Sequence, residues 1–427
     1  MEPQKSSLFL YNTMNRRKKR FVSREPGVVK IFTCGPSIYS WPHVGNYRTF
    51  LFEDLLLRVL EELGYRVERV INFTDVEDKA LTAAAREGRT MAGLTEPVAK
   101  RFQQEAELLA IKLPGFVPRS STSVEEAVHL IQVLIGNGHA YRQGKDVFFD
   151  PLTYPGFGRL YGLDMSRWPR EKRRFRKDTY PGQRWNLGDF ILWHGCRRED
   201  RVEGFCWETA LGPGRPSWNI QDPAIIHKHL GDQIDIACGG VDNLFRHHDY
   251  NLAVMESFSG KEFARYWLHG GYVLLNGVKM SKSRGNIVYP ADLLAKGLTP
   301  QHLRFALIDC HYREKLDLND AYLEQARDRL DRLHGLIGEL EKPSNPRQQT
   351  KPDQPSVRLH EAVMERLADD LDVPGAVAAL EGMLAALVAR KERHGWSGEE
   401  ASEVRRQVER IDGVLKVLVP AAPLQAS

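Results

Sequence analysis

Cysteine is scarce in this sequence: five residues among 427, at Cys34, Cys196, Cys206, Cys238 and Cys310, odd in number, widely spaced and without a CxxC pair. That scarcity argues against a disulfide framework and predicts reduced thiols. Long apolar runs are missing too; none approaches the roughly 18 residues that a membrane span needs, so neither a transmembrane helix nor a membrane partner is expected. The N-terminal MEPQKSSLFLYNTMNRRKKR lacks the basic start, apolar centre and small-residue cleavage site of a secretory signal, which points to a cytoplasmic protein. Neither sign of charge dominates: the net charge is +4, with 42% hydrophobic and 27% charged residues, the balance of an ordinary globular chain. No internal repeat or extended low-complexity tract is present. Basic residues gather at NRRKKR (15–20) and PREKRRFRK (169–177), where solvated surface and contact with nucleic acid or phosphate both stand as readings.

What is present suffices for two to three domains and a full core. VVKIFTCG reads as a strand ending at glycine, and TFLFEDLLLRVLEELGY carries apolar residues at helical spacing as far as Gly64. RVERVINFTD then reads as a second strand. Strand, helix, strand implies a parallel βαβ unit with its chemistry at the carboxyl ends of the strands, so a nucleotide site is expected near Cys34–Arg48 and Thr74–Lys79. The pattern from Lys79 to about Leu113 is helical, as is SVEEAVHLIQVLIGNGHAY. Between Asp146 and Pro213 the chain turns to aromatics, glycine, proline and basic residues, with DVFFD and DFILWH as short strands. DQIDIACGG and YWLHGGYVLLNG resume the sheet. From Pro300, ALIDCHYREK, AYLEQARDRLDRLHGLIGELE, SVRLHEAVMERLADDL and VPGAVAALEGMLAALVARKE read as successive amphipathic helices. The expected architecture is α/β: a Rossmann-type parallel sheet in two halves, 1–115 and 211–299, around a connective insertion at 116–210, followed by a C-terminal α-helical bundle at 300–427 with a polar, proline-rich linker at 342–356.

One pair of residues is open to several readings. In LFRHHDYN, His247 and His248 can serve a metal, a phosphate or a wet surface.

PHVGN (Pro42–Asn46) lies between the first strand and its helix, and KMSKS (Lys279–Ser283) follows the last strand of the sheet. Together they resemble the HxGH and KMSKS signatures of class I aminoacyl-tRNA synthetases. Within that class the resemblance narrows to the cysteinyl-tRNA synthetase family and covers most of the chain. FTCGPSIYSWPHVGNYRTF, NFTDVEDK, NGHAY, DVFFD, DFILW, GRPSWNI, FRHHDYN, KMSKSRGN, HYREKLDLN and DDLDVPGA follow one another in family order.

The resemblance implies a class I fold and an adenylation reaction, in which an amino-acid carboxylate attacks the α-phosphate of ATP, carried with Mg2+, before the aminoacyl group passes to tRNA. Charge builds on the phosphates, so donors near a helix N-terminus and mobile cations are needed. His43, Asn46, Lys279 and Lys282 take the catalytic places; Gly35, Pro36, Gly45, Gly239, Asp242, Met280 and Ser281 join them around ATP. Cys34, Thr74, Trp218, Asp222 and His247 fall in the amino-acid pocket, with Asp75 near it. The family holds a zinc ion that binds the substrate thiolate, through two cysteines, a histidine and a glutamate. The matching positions here are Cys34, Asp222, His247 and Asn251, because GWHIEC appears as SWNIQD and HHENE as HHDYN. A carboxylate is a harder donor than a thiolate and an amide rarely ligates zinc, so weak metal binding is expected. His248 is expected to face outward or make an ordinary hydrogen bond, and Cys238 to be a buried structural thiol.

Ala237 stands where the family has a pocket histidine, so the departures gather around the amino-acid pocket and leave open whether the substrate is cysteine or another amino acid. The resemblance runs to VLVPAAPLQAS without the small anticodon-reading lobe of the family. Two alternatives therefore stand beside a monomeric tRNA ligase: a tRNA-independent ligase joining an amino acid to a small-molecule amine, as in mycothiol biosynthesis, and a non-catalytic nucleotide- or RNA-binding paralogue.

Overall fold

The computed structural model describes residues 7–175, 188–197, 205–281, 284–344 and 354–419. Lys282 and Ser283, most of the linker at 342–356 and the end of the basic run at 169–177 lie outside the described residues.

A hairpin of β1 (Phe9–Asn12) and β2 (Arg17–Arg20) opens the described chain, and it absorbs part of the first basic run: Lys18 pairs with Asp369 at 2.6 Å and Arg16 donates to the Tyr161 carbonyl. β3 (Val28–Thr33), α1 (Val44–Glu62) and β4 (Arg66–Ile71) form the βαβ unit, with β3 and β4 parallel in the register Val28↔Arg66 to Thr33↔Ile71. α1 is apolar around most of its circumference, because its Leu51, Leu55, Leu56 and Leu60 are covered by sheet on one side and by later helices on the other. The helical run after Lys79 is two helices rather than one. Gly88, left-handed at φ +62, ends α2 (Asp78–Glu87), and the Thr90 hydroxyl caps α3 (Met91–Leu108).

α4 (Val124–Gly136) precedes a five-stranded sheet of β5 (Ala140–Gln143), β6 (Asp146–Phe149), β7 (Arg174–Phe175), β8 (Asp189–Gly195) and β9 (Gly214–Pro216). Cys196 and Cys206 are joined by a disulfide just beyond β8, which corrects the expectation of reduced thiols throughout; Cys34, Cys238 and Cys310 are free. The backbone brings the pair together: Cys196 N–H bonds the Pro213 carbonyl, while Trp207 pairs with Gly214. Spacing along the chain cannot foretell such an approach.

α5 (Trp218–Leu230), β10 (Ile234–Gly240), α6 (Asp249–Ser259) and β11 (Ala264–Gly270) complete the main sheet, whose order is β11-β10-β3-β4 with all pairs parallel. The carboxyl ends of β3, β10 and β11 thus open on one side, where a class of ligand sites in such sheets lies. β12 (Val273–Leu275) and β13 (Val278–Lys279) lead into the KMSKS stretch, and α7 (Pro290–Ala295) and α8 (Pro300–Ile308) follow it.

ALIDCHYREK is helical only through Ile308. Arg48 of α1 draws the carbonyls of His311 and Glu314 to itself at 3.0 and 2.8 Å, and β14 (Leu316–Leu318) then pairs with β12. α9 (Asp320–Leu340), α10 (Gln354–Val357), α11 (Leu359–Leu367), α12 (Val373–His394) and α13 (Gly398–Leu415) form the helical end of the chain. α12 is long and apolar enough to pass for a membrane span by length and composition alone. Its buried Val373, Val377, Leu380, Leu384 and Leu387 nevertheless recur as one stripe packed in the same core as α9, α11 and α13.

Arg304 of α8 fastens the helical end to the sheet. Its guanidinium is buried, bonds the Leu415 carbonyl at 2.8 Å and the Leu109 carbonyl at 2.7 Å, and meets the buried Asp54 of α1 at 2.6 Å. Burial works to raise the Asp54 carboxyl, but Arg304 and Arg58 outweigh it and hold the group below the ordinary carboxylate value. Removing one partner of such a pair strands the other charge. Asp54→Ala is expected to cost about 3–5 kcal/mol in a chemical denaturation series; a loss below about 1 kcal/mol would show that water replaces the pair.

Candidate active site

The loop that leaves β3 and enters α1 is shaped by one close approach. An added Cβ on Gly35 would stand 1.6 Å from the carbonyl oxygen of Asn72, so only glycine fits. The same Asn72 accepts the Gly35 N–H at 3.0 Å through Oδ1 and donates through Nδ2 to Asp222 Oδ1 at 3.0 Å. Further along, His43 is the N-cap of α1. Its Nδ1 accepts the Gly45 N–H at 3.1 Å, while Asn46 Oδ1 accepts the His43 N–H at 3.0 Å, closing a capping box. With Nδ1 accepting, the neutral imidazole carries its proton on Nε2 and can donate to an anion at the helix start. A Cβ on Gly45 would lie 2.9 Å from that ring, which favours glycine at this position.

These residues line a cavity of about 290 Å³ at the carboxyl ends of the parallel strands. Of the residues singled out from the sequence, Cys34, Gly35, Pro36, His43, Gly45, Asn46, Thr74, Trp218, Asp242, Lys279 and Met280 lie on its wall. Gly239, Ser281, Asp222, His247 and Asn251 lie off it. Gly239 backs onto His248, whose ring would stand 2.7 Å from an added Cβ. Asp75 instead accepts the N–H and hydroxyl of Ser121, at 2.9 and 2.5 Å, and serves the chain's local shape. Lys279 holds its Nζ 3.8 Å above the Tyr272 ring. Ser281 N–H donates to Asn286 Oδ1 at 2.9 Å, and Asn286 Nδ2 returns to the Lys279 carbonyl at 3.2 Å, so the two limbs of this loop are tied by one amide. Lys282 falls outside the described residues.

At the wall Cys34 meets Asp222 and His247, which lie behind it. Cys34 Sγ lies 3.0 Å from Asp222 Oδ2 and 3.0 Å from His247 Nε2, and those two atoms are 2.7 Å apart. Burial first, and the Asp222 carboxylate next, push the Cys34 thiol well above its ordinary value. For Asp222 burial pulls upward, but His247 and the bonds from Cys34 and Asn251 prevail and keep it ionised. Trp218 stacks on His247 with ring centroids 4.0 Å apart and 12° between planes. His247 Nδ1 and Asn251 Oδ1 are buried without a partner among the described residues, and Asn251 Nδ2 is 3.5 Å from Asp222. A thiol, a carboxylate and an imidazole whose donor atoms all lie within 4.8 Å of one another fit zinc by donor type, and the unsatisfied amide oxygen of Asn251 adds a fourth donor beside them.

His248 is not turned outward: it is as buried as His247 and its Nδ1 is 2.8 Å from His269 Nε2, with His269 Nδ1 2.9 Å from the Thr13 hydroxyl. The hydrogen bond was foreseen; the burial was not. Tyr39, Trp41, Thr49, Asn72, Tyr272 and Asn286 were not singled out from the sequence, although each stands inside a quoted stretch: the first three in FTCGPSIYSWPHVGNYRTF, Asn72 in NFTDVEDK, Tyr272 in YWLHGGYVLLNG and Asn286 in KMSKSRGN.

The parallel sheet with this cavity at its carboxyl ends is the fold of class I aminoacyl-tRNA synthetases. A Mycobacterium tuberculosis methionyl-tRNA synthetase in complex with methionyl-adenylate superimposes with a TM-score of 0.67 at 18% identity, over 91% of this chain and 92% of its own. The Agrobacterium radiobacter K84 LeuRS–tRNA–LeuAMS ternary complex gives 0.61 at 12% identity, over 93% and 85%. Residues 20–328 match the model of the tRNA synthetases class I (C) catalytic domain. Similar curated proteins include the cysteine–tRNA ligase of Chlamydia muridarum, 37% identical over 423 residues, covering 96% of this chain and 88% of the relative, and that of Brachyspira hyodysenteriae, 35% identical over 339 residues, covering 79% and 71%. The chain belongs to the cysteinyl-tRNA synthetase family.

Burial depresses His269 to about 3 and, with the neighbouring histidines, His248 well below its usual value, so the pair is neutral in the folded protein. The unfolded chain takes up a proton near pH 6.5 that the folded His269 refuses until about 3. Stability is therefore fully present above pH 6.5 and lost as pH falls through that window. His269→Gln is expected to flatten the acid limb by about 1 kcal/mol per pH unit in denaturation midpoints measured from pH 6.5 to 4; an unchanged slope would show that His269 is protonated in the native state.

Proposed function

We propose that the chain activates cysteine with ATP and transfers it to tRNA. The observation that supports this reading best is the convergence, in one cavity of a chain from this family, of the His43–Asn46 helix start, the Lys279 loop and the Cys34–Asp222–His247 group at the wall.

A carboxylate oxygen of the amino acid attacks the α-phosphorus of Mg2+-bound ATP; the new P–O bond forms as the bond to the β-phosphate oxygen breaks and pyrophosphate leaves. No side chain forms a covalent bond. His43 Nε2–H donates to phosphate at the positive end of α1, Gly45 admits the nucleotide close to the backbone, Gly35 lets the loop pass close to Asn72, and Asn46 holds His43 in place. Lys279, with Lys282, meets the charge on the leaving pyrophosphate; leaving the Tyr272 face for a phosphate trades a weak contact for a strong one. A ribose hydroxyl at the tRNA 3′ end then attacks the aminoacyl carbonyl and AMP departs. Thr74 and Trp218 wall the amino-acid end. Cys34, Asp222 and His247, with Asn251 beside them, would hold zinc, which when bound favours a substrate thiolate over a hydroxyl. The site of action is the cytoplasm and the working unit a monomer. No observation favours the small-molecule ligase or the non-catalytic paralogue.

ATP/pyrophosphate exchange across the proteinogenic amino acids, followed by charging of tRNA, tests the reading. Cysteine-dependent exchange and cysteinyl-tRNA formation are expected; exchange with a different amino acid alone would overturn the substrate. Lys282→Ala is expected to lose about 100-fold in exchange rate with an unchanged melting temperature, and normal exchange would remove the loop from the mechanism. For the metal, Asp222→Cys supplies a softer donor. It should keep zinc through a chelator dialysis that strips the wild type, read as metal per protein; equal retention would show that Asp222 is not a ligand.

A further inference from the structure

Arg101 lies outside every motif and off the cavity wall, yet it reaches both loops that flank the ATP site. Its guanidinium stands 4.8 Å from the centroid of Trp41, in the loop before His43, and 5.7 Å from that of Tyr289, on the limb that returns from the lysine loop. The arginine is itself held. Its Nε donates to Glu105 Oε1 at 2.9 Å, one turn along α3, and the other oxygen of Glu105 accepts the Tyr47 hydroxyl of α1 at 2.6 Å. A second tie runs alongside, from the Val44 N–H to the Val288 carbonyl at 3.0 Å. Trp41 keeps more than a third of its surface exposed, so its place is not dictated by burial in the core.

We propose that Arg101 is a positioning residue for adenylation, a cationic clamp between Trp41 and Tyr289 that sets the distance from the His43 loop to the lysine loop. The inference rests on the ATP-dependent reading above. The geometry favours this role over one in substrate binding: among the described residues Arg101 meets Glu105, Trp41 and Tyr289, and its two aromatic partners belong to the segment that leads into His43 and the segment that leaves the lysine loop. A planar cation can lie against two rings at once, whereas an ammonium makes a point contact. Because the charge developed in the transition state is stabilised only by donors already in place, loosening their separation lowers turnover more than it weakens ground-state binding.

The test is ATP/pyrophosphate exchange at saturating ATP for the wild type, Arg101→Ala, Arg101→Lys and Trp41→Leu, with melting temperatures of each. Expected is a fall in kcat of about fivefold to twentyfold for Arg101→Ala and Trp41→Leu, an amino-acid KM within about twofold of wild type, and partial recovery of kcat in Arg101→Lys. Trp41→Leu removes the ring at an exposed position and so guards against a folding defect. A kcat within about twofold of wild type in both variants, a loss carried by the amino-acid KM, no recovery in Arg101→Lys, or a fall matched by the unfolded fraction overturns the clamp. If the wild type itself shows no amino-acid-dependent exchange, the functional reading fails and the clamp with it; an active wild type with indifferent variants sinks the clamp alone.

Discussion

The contact between Gly35 and Asn72 is the constraint on which the rest of the site depends. Parallel pairing of β3 with β4 brings the two strand ends side by side, and the absence of a Cβ at Gly35 lets the loop pass within reach of the Asn72 carbonyl. One buried amide then bonds in two directions, to the Gly35 N–H of the nucleotide loop and to the Asp222 carboxylate behind the amino-acid end. Both halves of an adenylation site are thereby referred to the same side chain. A larger residue at 35 would push the loop outward, and with it Cys34, whose sulfur closes the group with Asp222 and His247.

That group shows how composition and geometry divide the work at a candidate metal site. Replacing a thiolate with Asp222 keeps a negative charge but hardens it, and replacing a glutamate with Asn251 removes a charge altogether. The structure surrounds the carboxylate with hydrogen bonds: it accepts from Cys34 and Asn72 and lies against His247, which offsets part of the cost of its burial. Two atoms remain unsatisfied, His247 Nδ1 and Asn251 Oδ1. An unmet polar atom in a buried place costs free energy unless something binds it.

Much of the fold was legible because strand and helix carry different periods. The βαβ opening, the short strands of the insertion and the long C-terminal helices follow from apolar spacing and glycine stops. What escaped has local causes. Gly88 splits a continuous helical pattern; Arg48 captures carbonyls that would otherwise continue a helix beyond Ile308; and β2 of the first hairpin lies inside a charged run, where alternation is weak. In the site, Tyr39, Trp41 and Tyr272 were not singled out even though they stand inside quoted stretches, because an aromatic at a cavity rim has no spacing to announce it.

The sequence by itself determined the class of chemistry through a resemblance, since PHVGN ahead of α1 and KMSKS after the last strand are local patterns that match the signatures of one family. Through the same resemblance it placed Asp222 and Asn251 where the family has a cysteine and a glutamate. Only the tertiary structure decided which residues share the cavity, that Asp222 and His247 stand behind its wall, that His248 and His269 are buried as a neutral pair, and that Cys196 meets Cys206. The reason is that these relations join residues up to more than two hundred positions apart, and their distance is set by strand order and helix packing rather than by any pattern along the chain.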